Sequence, residues 1–350
     1  MTGYDTPNPH LVVSGPFFSR RIHVATSITI LGLAFGTVCL TLFAILAGSQ
    51  PINLRDAFDL VVDPARLSNE TMRIFWDLRL PRVFLALMVG AMLGLAGTAM
   101  QTLTRNGLAD PGLLGVKEGA SAAAIVFSLY APFAGLYGRT AAGMAGGLAI
   151  ALVVVLIARG VTRMRFVMVG IGTSWLAAAV VSVIVTTADI RDVQAALVWL
   201  AGSLNGASWE AVPIAFAAMF IGACLLFLTA GAADAAMLGP QAAAGLGVSL
   251  KTLAIIRFTA PVLLTSTCVA LVGSLGFVGL IAPHLARLSV RGSQGALLGA
   301  SALYGAALVL AADTIGRAAF APHQLPAGIV MSIVGVPVLL TLLWKRRDQL

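Results

Sequence analysis

Long apolar runs separated by short polar segments cover most of the chain. They fall at about residues 24–47, 83–104, 119–131, 140–158, 166–187, 211–230, 253–273, 275–288, 296–313 and 327–344. A helix needs about 20 apolar residues to cross a bilayer, so the pattern predicts ten membrane helices, several of them short. The runs at 119–131 and 275–288 are too short to cross squarely; broken helices of that kind are tolerated where protein or a water-filled cavity covers the freed backbone. Residues 1–23 are polar and read as a tail. The run after them is too long for a signal-peptide core and is predicted to be an uncleaved first span. Residues 48–82 are polar with alternating charges, which predicts a loop with short amphipathic helices. Residues 24–347 then form one all-α transmembrane domain.

Composition narrows the class. The 350 residues are 59% hydrophobic and 10% charged, with mean hydropathy +0.96. Soluble domains carry about 25% charged residues, so a soluble enzyme, a disordered chain and a disulfide scaffold are all excluded. Cys39, Cys224 and Cys268 lie inside apolar runs and read as small core residues.

The net charge of +8 does not indicate nucleic acid, because the basic residues lie between apolar segments and form no single face. They report orientation instead. With ten crossings and a cytoplasmic N-terminus, eight of the 22 Lys and Arg residues fall outside: Arg55, Arg66, Arg73, Arg79, Arg82, Arg139, Arg191 and Arg317. The other fourteen fall inside, and most acids lie outside. The bias places both termini in the cytoplasm. An odd number of spans would put the basic Lys345-Arg346-Arg347 tail on the wrong side.

Glycine is abundant within the spans. Gly90-x-x-x-Gly94, Gly143-x-x-x-Gly147 and Gly295-x-x-x-Gly299 let helix backbones approach closely, and packing within the chain is favoured over a dimer seam. Leu113–Val116 and Gly279–Ala282 are a weak sign of two structural halves.

Chemistry-bearing motifs are sparse. Gly245 to Thr252 is the nearest approach to a phosphate loop, but Leu250 stands where the second glycine is needed. His284, within a span, reads as a structural hydrogen-bond partner near a helix end. Gly273-Ser274-Leu275-Gly276 reads as a helix break, since no base accompanies the serine.

Five segments carry a more specific signal: Leu78-Arg79-Leu80-Pro81-Arg82; Arg105 to Gly115, reading RNGLADPGLLG; Trp199-Leu200-Ala201-Gly202-Ser203-Leu204; Gly276 to His284, reading GFVGLIAPH; and Leu325-Pro326-Ala327-Gly328-Ile329. In this order and spacing they resemble the FecCD permease subunits of iron–siderophore and cobalamin ABC importers, over residues 24 to 347.

The resemblance implies a ten-helix subunit of the bacterial inner membrane that pairs with a second permease subunit. Two cytoplasmic ATPases and an extracytoplasmic substrate-binding protein complete the importer. ATP and Mg bind the ATPases, which fits the missing phosphate loop; the chain itself carries no cofactor and is not an enzyme. Arg79, Arg82 and Arg317 match outer-face arginines that dock glutamates of the binding protein, and an arginine fork suits carboxylate. The local alternatives are Asp77 beside Arg79 and Arg82, and Asp313 four residues before Arg317. Leu238, Gly239, Ala242, Ala243, Leu246 and Gly247, within residues 231–252, match the cytoplasmic loop that seats in the ATPase. Pro240 and Gln241 depart from the family, which often has an acid there. Asn106 and Leu108 match the cytoplasmic gate, with Met164, after Arg163, as the partner position. Lys117-Glu118 stands where uncharged polar residues are common.

Trp199 to Leu204 followed by Trp209 looks more like siderophore permeases than cobalamin ones. A ferric siderophore is therefore the expected substrate, with cobalamin and haem as alternatives. From other classes, a stand-alone secondary transporter would need acids central in a span, and the sequence has none; an intramembrane hydrolase using Ser274 and His284 stands further off.

Overall fold

A computed structural model describes residues 10–15, 18–48, 59, 62, 68–160 and 164–346. Most of the polar 48–67 segment, Arg163 and Arg347 lie outside the described residues.

The chain opens with a two-stranded antiparallel hairpin, His10–Gly15 against Phe18–His23. From there the described chain is helical. Helix α1 (Val24–Leu46) is followed by α2 (Asn69–Arg73), a π-helical turn at Ile74–Arg79, and α3 (Leu80–Thr104). Next come α4 (Val116–Tyr130), α5 (Gly135–Ala158), α6 (Met164–Thr187) and α7 (Ile190–Leu200). Helix α8 (Ala211–Leu228) leads into the short α9 (Ala230–Met237) and α10 (Pro240–Gly245). Helices α11 (Leu250–Val272), α12 (Val278–Ser289), α13 (Gln294–Ala318) and α14 (Ala327–Arg346) complete the fold.

Among the described residues, seven helices are long and apolar enough to cross a membrane. With α4, α12 and α14 they account for the ten predicted runs. The second span begins much earlier than residue 83: α2, the π turn and α3 form one rod from Asn69. Its charged start hides it in a hydropathy pattern. The π turn ends at Arg79, two residues before Pro81 in the first turn of α3. Proline has no N–H to donate into the preceding turn, and a widened turn accommodates that loss.

Helix α3 is the axis. The most apolar window of its rod is 83% buried, against 6% for α1 and 11% for α6. It packs on α8, α11, α12 and α13. The approach is close because the contacts are made by glycine. A Cβ on Gly90 or Gly94 would overlap the carbonyl oxygens of Gly305 or Ser301 on α13, and one on Gly97 would overlap Gly279 on α12. Gly143 and Gly147 likewise seat α5 against Ala270 and Ser266 of α11. These are packing seams within the chain, as expected. Gly299 faces open space and takes no part in such a seam.

The short helix α12 is entered through the irregular backbone of residues 273–277. A Cβ on Gly273, at φ +77°, would overlap the carbonyl of Trp199, so the protein covers this break with the end of α7. Among the cysteines, Cys268 is buried and Cys224 half-buried, but Cys39 is exposed on α1 and is no core residue.

Candidate functional site

The polar groups gather at the two ends of the bundle. At one end lie the C-terminus of α1, the N-terminus of α3 and the C-terminus of α13. Arg82 donates from Nε to both carboxylate oxygens of Asp313 at 3.0 Å, and from Nη2 to Oδ1 at 2.7 Å. Its Nη1 donates to Gln324 Oε1 at 3.0 Å. Arg317 lies 3.3 Å from the other oxygen of Asp313. It also donates to the carbonyls of Ala44 and Ala47, while Arg79 donates to those of Ile45 and Leu46. The last carbonyls of a helix have no partner within it; here two arginines supply the donors, and their charge complements the negative end of the α1 dipole.

Arg79, Arg82 and Arg317 are thus gathered, but each is less than 10% exposed. The neighbour of Arg82 is Asp313, 231 residues away, and not Asp77. For Arg317 the expected i, i+4 pair with Asp313 is present. Beside the cluster, Trp209 Nε1 donates to the carbonyl of Trp76 at 2.7 Å, and its ring meets those of Trp76 and Phe84. Half-exposed aromatics of this kind suit a membrane–water boundary.

At the other end stand α9, α10 and the starts of α11 and α13. Gly239 at φ +111° and Gly247 at φ +77° allow the sharp turns on either side of α10, where side-chain-bearing residues would be strained. Leu238 and Leu246 are 71% and 64% exposed. Ala242 is exposed too, whereas Ala243 is fully buried. Ala243 therefore holds the loop in place, and the leucines form its presented surface. Asp234 of α9 accepts the backbone N–H of Gln294 at 2.8 Å, which ties this loop to the start of α13. The Gln294 side chain in turn lies 3.0 Å from the Thr102 hydroxyl and 3.5 Å from Arg257 Nη1.

Asn106 and Leu108 follow α3 at this same end. The Asn106 side chain accepts the N–H of Leu108 at 2.9 Å, an Asx turn that shapes the loop. Asp110 caps the next turn through Gly112 N–H and pairs with Lys117 at 3.6 Å. Met164 begins α6, and its side chain lies outside the described residues. Among the described residues, no three His, Cys, Asp or Glu side chains gather as metal ligands.

The five sequence segments meet in space. Arg82 of the first reaches Gln324, which adjoins the fifth. Gly328 of the fifth donates to the carbonyl of Gly202 in the third at 2.9 Å, and Ser203 donates to Val272 before the fourth at 2.8 Å. Gly279 of the fourth sits against Asp110 of the second. Their glycines permit backbone contact between segments far apart in sequence. Helix α7 and the networks of Arg257 and Gln294 were not legible beforehand. The run after Asp189 is amphipathic, and the other two depend on tertiary placement.

Comparisons with known proteins agree with this architecture. The FecCD transport family model matches residues 36–345. A probable siderophore transport system permease of Bacillus subtilis (strain 168) is 36% identical over 279 residues, covering 77% of this chain and 81% of the relative. The hemin transport system permease of Yersinia pestis is 35% identical over 291 residues, covering 81% and 86%. The achromobactin transport system permease of Dickeya dadantii (strain 3937) is 35% identical over 345 residues, covering 94% and 95%. Among solved structures, a metal-chelate type ABC transporter in an inward-facing conformation superposes with TM-score 0.81 at 25% identity, over 91% of this chain and 99% of that one. The chain belongs to the FecCD transport family and is an ABC-transporter permease subunit, not an enzyme.

Proposed function

We propose that the chain lines one half of the pathway of an ATP-driven importer for a ferric siderophore. The observation that carries the substrate class is the set of relatives. Siderophore, iron(3+)-hydroxamate and iron(3+)-citrate permeases of Bacillus subtilis match at 34–37% identity. The hemin relative, at 35%, keeps haem as the second reading.

A second permease subunit is supported by large apolar side chains left uncovered on α6 and α14. Met168, Trp175 and Ile333 are each more than 60% exposed. Of the two ATPases, one seats on Leu238 and Leu246 of this chain, and a binding protein approaches the Arg79–Arg82–Arg317 end. Arg82 and Arg317 share the single carboxylate of Asp313, a local excess of guanidinium over carboxylate that supports glutamates on a partner. The coupling loop is cytoplasmic, as are both termini, in keeping with the excess of basic residues at that end. Asn106, Leu108 and Met164 form the inner gate. ATP binding on the partners closes and opens the pathway; this chain supplies its walls.

The test is import by the assembled complex. Cells lacking their own importers, expressing this chain with its partner subunits, should take up a radiolabelled ferric siderophore saturably. Excess haem or cobalamin should not compete. Import of haem or cobalamin without the siderophore would overturn the substrate assignment.

A further inference from the structure

A cavity of about 540 Å³ opens at the coupling-loop end, between the C-terminus of α3, helix α9 and the N-terminus of α11. Three cations line it: Arg105, Lys251 and Arg257. Arg105 and Lys251 are exposed, while Arg257 is 1% exposed. The contacts of Arg257 are weak. Its Nη1 lies 3.5 Å from Gln294 Oε1 and its Nη2 3.5 Å from the Leu226 carbonyl, and the buried Nε has no hydrogen-bond partner among the described residues. Asp234 is the acid near enough to act on Arg257 through its charge, but no hydrogen bond or ion pair joins the two among the described residues; one Asp234 oxygen accepts the Gln294 N–H. A buried guanidinium without full hydrogen bonding is costly, and an anion in the cavity would remove that cost. Apart from Thr102 and Thr104, the remaining walls are apolar, among them Leu103, Met237, Leu250 and Leu253. Next to Arg257, the end of α8 exposes Phe227 and Leu228, the latter by 84%.

We infer that this cavity binds a phosphate-bearing anion, and that the apolar rim selects the headgroup of an anionic phospholipid from the adjacent leaflet. Basic pockets between membrane helices on the cytoplasmic side suit such headgroups. The choice of leaflet rests on the orientation proposed above; the binding readout does not, and it involves no transported substrate.

The probe is phosphatidylglycerol in phosphatidylcholine nanodiscs holding the purified permease with its ATPase. Retention of phosphatidylglycerol by the complex is read by mass spectrometry, with and without inorganic phosphate. Arg105→Gln with Lys251→Gln is the primary variant, since both side chains are exposed and their loss should spare folding. Each cation near a membrane surface contributes roughly 1 kcal/mol, so the double variant should retain phosphatidylglycerol about thirtyfold less well. Arg257→Gln, checked for folding by thermal unfolding, should lose it further. Competition by inorganic phosphate would assign the site to free phosphate as well as to lipid. Equal retention by parent and double variant would overturn the proposal, as would loss of the ATPase from the variant complex with lipid retention unchanged. The latter result would make these cations a seat for the ATPase.

Discussion

Asp313 is 1% exposed and lies between Arg82 and Arg317, so its loss leaves two guanidinium groups buried without their carboxylate. Removing one partner of a buried pair costs about 3–5 kcal/mol. Asp313→Ala should therefore lower stability by about that much in a thermal unfolding assay in detergent. Arg82→Gln combined with Asp313→Asn should recover part of it, because neutral amides replace the pair. An Asp313→Ala protein as stable as the parent would show that the cluster is not a fold-holding clasp. The same burial governs any test of docking. Charge reversal at Arg79 or Arg82 would break local structure, so the docking role is better read from the parent. Salt screens the long-range approach of a charged partner, though less for buried groups such as these than for exposed ones, and affinity for the binding protein should fall with added salt. Docking that does not change with salt would leave these arginines a purely structural part.

Elements show where sequence pattern suffices and where it does not. The short helices α4 and α12 were legible from run length, and the break at Gly273 from its glycines. The start of the second span at Asn69 was not, because Glu70, Arg73, Asp77 and Arg79 interrupt the apolar pattern that marks a helix in a bilayer. Helix α7 was hidden by Asp189, Arg191 and Asp192 at its start. The Arg317–Asp313 pair could be read from helical spacing, whereas Arg82–Asp313 could not, since it joins helices distant in sequence. Glycine spacing was legible as a packing signal, but its use was not: Gly97 touches backbone, and Gly299 touches nothing. Gly97→Ala should cost about 1–3 kcal/mol, as overpacking does. Gly299→Ala should be neutral or gain up to about 1 kcal/mol from helix propensity. Equal effects in thermal unfolding would contradict the close approach of α3 and α12. In the coupling loop, Leu238→Asp with Leu246→Asp should abolish copurification of the ATPase while the unfolding temperature stays unchanged. Ala243→Asp should instead disturb the loop itself. Full ATPase retention by the leucine double variant would assign coupling elsewhere.

On the scale of the whole molecule, the polar groups divide between two ends joined by an apolar bundle. One end clasps α1, α3 and α13 through arginines; the other carries a loop of two short helices tied through Asp234 to the start of α13. Helix α13 thus touches both ends and packs along α3 by glycine contacts. We propose that a displacement of the loop is carried along α13 to the opposite face. The central claim is that this route is driven by ATP hydrolysis on separate subunits. The most direct measurement is uptake of a ferric siderophore by proteoliposomes containing the permease, its ATPase and the binding protein. Uptake should require ATP inside the appropriate compartment and should vanish when the ATPase is omitted. Uptake at full rate without ATP or without the ATPase would contradict the account.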